Sequence, residues 1–571
     1  MINFYDFEVF KYDWLVVIIN PFTKEVKEIA NDKAELEKYY RKHSGEIYCG
    51  YNNRHYDQYI MKAILAGFDP WKVNEWIIIK EEPGYTFSKV LNDFQMINFD
   101  TALLGSSLKQ LEGFQGHNIH ETGVDFNIDR KLTQAEIDET FKYCRNDVKE
   151  TINVFMQCKS DFDAQLGLVK MFNLPLSAMS MTKAQISAEI LGCERKDFND
   201  EWDWVFLPCI KLNKYSKVYG WFNNMENRKK DMLLIEEVCG VPHQFGLGGL
   251  HGALLQYHYK CGPDDLILHV DVASYYPSLM IFWNLLTRAS NDPDRYKLIY
   301  EWRLELKRQG KKKEQAPLKI VLNGTFGISK DIKSKAYDPR NASSICVNGQ
   351  LLLLDLLEKL ETVKSFKLIQ SNTDGLIIKI KREDFELVDD ICHEWETRTK
   401  MNLEFDYIKE IWQKDVNNYL FIQFDGKIER KGGYVKELSR IDNDLPIINK
   451  ALVEYMLHGT SPVKTITDCD DLMMFQKICK LTSKFQYVTD GKSTYKNKCY
   501  RIFASKRNTD GVISKVKSKN GKSSYFKFAN TSDHSFIENG DITDKPVPSY
   551  LDKQWYIDLA LERLKQFGIE V

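Results

Sequence analysis

No stretch of the 571-residue sequence stays apolar for the roughly 20 residues that a membrane-spanning helix needs. The first residues carry no basic run and no small-residue cleavage site, and Asp6, Glu8 and Asp13 interrupt their apolar character, which argues against a signal peptide. A cytoplasmic protein is expected. The twelve cysteines are scattered from Cys49 to Cys499 without one Cys-x-x-Cys pair, so neither a disulfide frame nor a zinc cluster of that spacing is predicted. Any essential metal then rests on oxygen ligands. Internal repeats and low-complexity tracts are also missing, and the net charge of −2 gives no overall basic excess.

What is present fits a large enzyme. The chain is too long for one hydrophobic core and predicts roughly three to five domains. Its 43% hydrophobic, 28% charged and 13% aromatic content is that of a globular protein. The balanced charge hides a local asymmetry between Lys492 and Lys527, where Lys496, Lys498, Arg501, Lys506, Arg507, Lys515, Lys517, Lys519 and Lys522 face a single acid, Asp510. Tyr495, Tyr500, Phe503, Tyr525 and Phe526 interleave with them, a pattern that suits a nucleic-acid backbone. Periodicity predicts a strand over Trp14 to Asn20, helices over Asn31 to His43 and Thr133 to Gln157, and a mostly helical stretch from Lys170 to Pro242. An apolar strand, LILHV, runs into Asp271. Helices follow over Tyr296 to Lys313 and from near Pro317, and a hairpin over Phe366 to Ile380 turns at SNTDG.

Three short acidic motifs mark the first domain. Asp6 and Glu8, two apart on a strand, share one face and can hold a divalent cation, although a lone Asp-x-Glu more often marks a solvated strand edge. Asn53 to Asp57 opens a helical segment, and Tyr143 and Asp147 project from one face of another. Taken in order, Asp-x-Glu, Asn-x-x-(Phe/Tyr)-Asp and Tyr-x-x-x-Asp resemble the three exonuclease motifs of proofreading DNA polymerases. The resemblance implies that Asp6, Glu8, Asp57 and Asp147 hold two Mg²⁺ or Mn²⁺ ions on the scissile phosphate and that Tyr143 orients the attacking water. It further implies that Asn53, Tyr56, Ser107 and Leu108 (in SSLKQL) grip the frayed primer end. The auxiliary lysine of some relatives has no visible counterpart.

The second half resembles family-B polymerases. Asp271-Val-Ala-Ser274-Tyr-Tyr276-Pro is similar to motif A, Asp-x-x-Ser-Leu-Tyr-Pro, which implies a metal-binding Asp271 and places Ser274 and Tyr276 at the incoming nucleotide, Tyr276 excluding a 2′-hydroxyl. Lys319 and Asn323, four apart on a helix, fall in a segment similar to motif B, with Gly324 and Phe326 in place of Ser and Tyr; Arg303 and Lys307, four apart on the preceding helix, either complete a triphosphate grip or stand on a solvated helix face. Asn372-Thr373-Asp374-Gly375 resembles motif C, Asp-Thr-Asp-Ser, with an asparagine first, so Asp374 is the surviving metal ligand. Gly248 and Gly249 match a Tyr-x-Gly-Gly template connector, and Lys431-Gly-Gly-Tyr434 resembles a Lys-x-Tyr motif at the primer end with one extra residue between.

The expected fold is therefore a multidomain α/β chain: a ribonuclease-H-like exonuclease domain followed by a right-hand polymerase of palm, fingers and thumb. The boundaries read as 1–165 exonuclease, 166–244 helical connector, 245–295 palm, 296–345 fingers, 346–430 palm and 431–571 thumb carrying the basic segment. The implied cofactors are Mg²⁺ or Mn²⁺, two ions per centre, and the implied partners are primer-template DNA and deoxynucleotides, with replication accessory proteins as candidates and no membrane. Only about fifty residues separate motif A from B and B from C, so the insertions of protein-primed phage relatives are missing or reduced. A nucleic-acid primer is expected rather than a terminal protein, in phage or mobile-element replication inside a host's cytoplasm. The alternative is a 3′→5′ exonuclease whose degenerate polymerase half serves as a DNA-binding platform, motivated by Asn372 and Gly375.

Overall fold

The run Trp14–Asn20 is apolar at almost every position, which suits a strand covered on both faces, and that is where it lies. In the computed structural model, which describes residues 1–103, 105–119, 121–519 and 522–570, it is second in a five-stranded sheet. The order is Glu25–Ala30, Trp14–Asn20, Ile2–Val9, Ile47–Gly50, Asn98–Asp100, the first three antiparallel and the last two joined in parallel. Alternation along the second strand sends Val16 and Ile18 to one core and Val17 and Ile19 to another. The helix Asp57–Ala66 covers the first face, and Gln134–Gln157, opened by a Thr133/Glu136 capping box, covers the second.

Contacts divide the chain into two compact α/β units. The first gathers Met1–Met181, Leu438–Ile448 and Val463–Asp558; the second gathers Thr182–Glu437, Asn449–Pro462 and Leu559–Val571. The segment 431–571 is thus shared between them. In the first unit a three-stranded sheet, Lys477–Lys480, Cys499–Ala504 and Ser535–Ile537, packs on the helix Leu108–Phe114. A four-stranded sheet beside it ends in the edge hairpin Ser514–Lys519/Lys522–Lys527.

The second unit is built on a ten-stranded antiparallel sheet whose middle strands are Leu403–Asp415, Asp265–Val272, Gly375–Lys381 and Lys367–Asn372. The helix Pro339–Leu360, capped by Asp338 and started by Pro339, is buried on nearly every side. The expected hairpin forms, with Thr373 and Asp374 as its two-residue loop.

Two expectations are corrected. The stretch 170–242 is not mostly helical: after Lys183–Ile190 the next helix is Ser216–Asn223, and Leu234–Val238 and Val241–Phe245 are paired strands. Between the helices an extended segment satisfies its backbone donors on side chains of Pro339–Leu360. Val205 N–H donates to Ser344 Oγ (3.0 Å), Leu207 N–H to Asn348 Oδ1 (2.8 Å), and Asn213 and Tyr215 N–H to the Glu358 carboxylate (2.8 and 3.0 Å). Partners so distant in sequence leave no helical requirement on the strap itself. The helix expected over Tyr296 to Lys313 is Pro293–Arg308; it ends at Gly310, whose φ of 70° only glycine adopts easily, and the next, Lys312–Lys330, begins before Pro317.

Among the described residues no disulfide forms, and no helix is long and apolar enough to cross a membrane.

Candidate functional site: two carboxylate centres

In the first unit, strand alternation aims Asp6 and Glu8 at one face of Ile2–Val9, toward the helix Gln134–Gln157 that carries Asp147. Asp57 begins the helix Asp57–Ala66, and its Oδ1 accepts from Phe7 N–H (3.0 Å), tying that helix start to the strand between the two acids. Asp57 and Asp147 are buried, as is Glu8. Burial first, and mutual repulsion second, push Asp6 and Glu8 well above the usual carboxylate range; burial raises Asp57 to about 7 and also raises Asp147. Ligand atoms of Asp6, Glu8 and Cys144 lie within 4.8 Å of one another. The Cys144 thiol turns to Asp6, donating to its backbone oxygen (3.3 Å) and Oδ2 (3.6 Å), so the donors left for a hard divalent ion are carboxylate oxygens.

A cation that sequence reasoning missed stands beside these acids. Lys109 Nζ lies 2.5 Å from Asp147 and 3.0 Å from Glu112, and 4.7 Å from the Tyr143 ring centroid. Glu112 is fully buried, and its pKa is raised to about 8, by burial first. The signal was local: Lys109 follows Ser107 and Leu108 within SSLKQL.

The four residues assigned to the primer end take different positions. Asn53 is fully buried and its amide donates to Asn98 Oδ1 (3.0 Å) and Phe99 O (3.1 Å). Tyr56 OH donates to Asn74 Oδ1 (2.7 Å). Ser107 caps the helix Leu108–Phe114 in a box with Gln110. Ser107 and Leu108 line a cavity of about 590 Å³ with Tyr51, Arg54, His55 and Lys480.

The basic segment divides. The hairpin lysines Lys517, Lys519 and Lys522 are exposed, with Tyr525 63% and Phe526 45% accessible; residues 520–521 lie outside the described residues. Arg501, Tyr500 and Phe503, read as part of the nucleic-acid face, are instead core residues. Arg501 donates to Gln476 Oε1 and to the backbone oxygens of Gly113, His117, Glu538 and Gly540 at 2.7–3.3 Å. Those acceptors make burial of a guanidinium affordable.

In the second unit Asp271 ends a central strand, directly opposite Gly375 on one side and Glu404 on the other. Asp374 O accepts from Val272 N–H (2.7 Å), fixing the loop beside it. Burial first, then the charges of Asp374, Glu404, Glu429 and Asp406, raise Asp271 to about 7. Glu404 and Asp406 repeat the acid-x-acid spacing of a strand face, a signal the sequence reading passed over. The two departures in the turn have local jobs. Asn372 Oδ1 accepts from Thr373 N–H (2.9 Å), and a Cβ at Gly375 would sit 2.8 Å from Asp271 Oδ1.

Ser274 adopts a left-handed φ of 53° before the helix Tyr275–Phe282, and Tyr276 packs on Phe326 at 4.5 Å between ring centroids. Lys319 and Asn323 are exposed on Lys312–Lys330, on the face that bears Phe326. Arg303 Nε donates to Gln315 Oε1 (3.1 Å), joining the two helices, and Lys307 is exposed. Gly248 O accepts from the Gln350 amide (3.0 Å). Lys431 Nζ stands 5.7 Å from the Tyr419 ring centroid, and the Tyr434 ring is covered by Arg563 at 4.5 Å.

Gly249 explains the glycine-rich connector: a Cβ there would lie 2.4 Å from Thr373 Oγ1, inside the turn that carries Asp374. Gly249→Ala is expected to displace that turn and slow any reaction at Asp374 by about 10- to 100-fold, with the circular dichroism spectrum unchanged.

No protein-family profile matches the chain. A segment of 83 residues, 14% of the chain, is 31% identical to DNA polymerase II of Escherichia coli (strain K12), and the match spans 10% of that protein's length. Among solved structures, the family B DNA polymerase from the hyperthermophilic archaeon Pyrobaculum calidifontis aligns over 100% of this chain and 78% of its own, with a TM-score of 0.42 and 14% sequence identity.

Proposed function

We propose that this chain is a template-directed DNA polymerase of the family-B type that extends a primer 3′ end and carries a 3′→5′ proofreading exonuclease. The observation that carries the reading is the pair of carboxylate centres in separate units, Asp6, Glu8, Asp57 and Asp147 in one and Asp271 with Asp374 in the other. Beside the second stands a helix with an exposed lysine and asparagine, Lys319 and Asn323, for a triphosphate.

Both centres fit divalent cations on the chemistry of their donors: hard oxygens, and acids whose crowding and burial oppose ionisation until a cation compensates them. Two Mg²⁺ or Mn²⁺ ions, when bound, neutralise the phosphate and activate the attacking oxygen. The chain does the rest. Lys319, Asn323 and Lys307 hold the nucleotide phosphates, Tyr276 on its Phe326 backstop excludes a ribose 2′-hydroxyl, and Gly248–Gly249 guide the template. Lys431 and Tyr434 support the primer. In the exonuclease, Tyr143 orients water, and Lys109 holds Asp147 while countering developing charge. Lys109→Ala is expected to slow excision about 100-fold and leave extension unchanged in a primer assay.

In this reading the five-stranded sheet belongs to a ribonuclease-H-like exonuclease, the second unit supplies palm and fingers, and 431–571 is the thumb. The setting is phage or mobile-element replication in a host's cytoplasm, from a nucleic-acid primer and with accessory proteins as partners. The test is a labelled primer on a DNA template with Mg²⁺, with and without the four deoxynucleotides. Growth with nucleotides and shortening without them supports the reading. Shortening in both lanes, persisting as a lack of growth in the Asp6→Ala variant, favours the second reading that the amide at Asn372 motivates, an exonuclease on a degenerate polymerase platform.

The raised acids also predict a pH-dependent response to metal. A carboxyl whose pKa is higher folded than unfolded binds extra protons in the native state, so its contribution to stability is full below pH 4 and is lost as pH rises through the folded value, about 7 for Asp57 and Asp271. Melting in EDTA is expected at lower temperature at pH 8 than at pH 6. Mn²⁺ is expected to add on the order of 5 °C at pH 8 and little at pH 5, where protons occupy the ligands; calorimetry checks both.

A further inference from the structure

Two loops of the first unit each serve two places. On one, Asp57 belongs to the carboxylate centre, while Arg54 and His55 just before it line the cavity of about 590 Å³. On the other, Lys109 bonds Asp147, while the adjoining Ser107 and Leu108 line the same cavity. The three residues of chain from Arg54 to Asp57 span at most roughly 10 Å, so the cavity adjoins the acids.

A further wall comes from far along the chain. The strand Lys477–Lys480 packs on the helix Leu108–Phe114, with Ile478 at Gly113, where a Cβ would lie 3.0 Å from the isoleucine Cδ1. Lys480 shares a strand face with Ile478 and lines the cavity beside Ser107 and Leu108. It is exposed and, among the described residues, makes no ion pair. Arg54 brings a second positive charge: its Nη2 donates to Met181 O (3.3 Å), and its Nε is buried with no partner. Asp100, the acid of the lining, is already occupied. Its Oδ1 accepts from Asn52 and Ala102 N–H (2.9 Å each), and its Oδ2 from Arg54 N–H (3.1 Å). Two cations with donors to spare, beside an acid whose oxygens are taken, suit a phosphate.

We infer that Lys480 and Arg54 are strand-positioning residues of the exonuclease, holding in this cavity the phosphate next to the scissile one on a single-stranded 3′ end. The inference rests on the exonuclease reading. Hydrolysis with Mg²⁺ compares a thymidine dinucleotide, which has only the scissile phosphate, with an octathymidylate, which has one for the cavity as well. Wild-type protein has the lower KM for the octamer. Lys480→Ala, at an exposed position, raises that KM about five- to tenfold, lowers the salt slope of octamer binding by about 0.7, and leaves kcat and the dinucleotide unchanged. Lys480→Arg restores the octamer KM. An uncharged methylphosphonate at the linkage next to the scissile one raises the wild-type KM by a similar factor and adds nothing in Lys480→Ala. Equal wild-type KM for the two lengths, equal losses on both, a fall in kcat at constant KM, or a methylphosphonate effect undiminished in Lys480→Ala overturns the assignment. A wild-type protein that binds the octamer in EDTA more tightly than Lys480→Ala yet shortens no DNA leaves the cavity standing as a single-strand site and removes the exonuclease reading instead.

Discussion

On the proposed polymerase reading, Asp271→Ala and Asp374→Ala are each expected to lower primer extension about a thousandfold, ~4 kcal/mol of transition-state stabilisation, with shortening of the same primer without nucleotides persisting. Asp6→Ala does the reverse. The size of the effect follows from geometry: Asp271 is fixed by ladder pairing on both sides, and Asp374 by a two-residue loop whose carbonyl is bonded to Val272. Glu404, directly opposite Asp271, is the nearest substitute on the ladder, so residual extension in Asp271→Ala that disappears in Asp271→Ala/Glu404→Ala is the expected fine structure of the result. Loss of both activities in any one of the single variants argues against two independent centres.

The second large effect lies far from either centre in sequence. Arg501→Met is expected to destabilise the first unit by about 4 kcal/mol, seen as a fall in its melting temperature on the order of 10 °C. Methionine fills much of the volume but strands Gln476 and four carbonyl oxygens in the core. Burial lowers the Arg501 pKa to about 10, which still leaves it charged at neutral pH. Two of its acceptors, Gly113 and His117, lie at the end of the helix that presents Lys109 to Asp147, so excision is expected to fall with stability. Arg501→Lys, with one donor group in place of a planar fork, recovers only part of either.

These two cases mark what was legible in the sequence. Asp6, Glu8, Asp147, Asp271 and Asp374 were singled out because the motifs proposed for them rest on spacings of two and four residues and on a strand running into a turn, all local properties. Arg501 was misread because it sits in a basic run, and the acceptors that bury it come from positions 113 to 540. Lys109 was quoted and not recognised, since only the fold brings it to Asp147. Asn53 was read from its motif as a primer-end contact, and the fold turns its amide NH2 to Asn98 and Phe99, which no spacing announces. The strap over 204–215 was read as helical, and it is extended because its backbone donors bond to side chains of a helix more than a hundred residues later.

The way the chain returns to its first unit has a consequence for synthesis. Strands that clasp the Leu108–Phe114 helix are made after the whole of 182–437 has emerged. At about 5–20 residues per second, the ribosome takes on the order of 20–80 s to travel from residue 181 to residue 558. Until residue 501 emerges within that interval, Gly113 and His117 lack their guanidinium partner. Birth order and folding order therefore differ, and the earliest-made part of the protein is among the last to be finished.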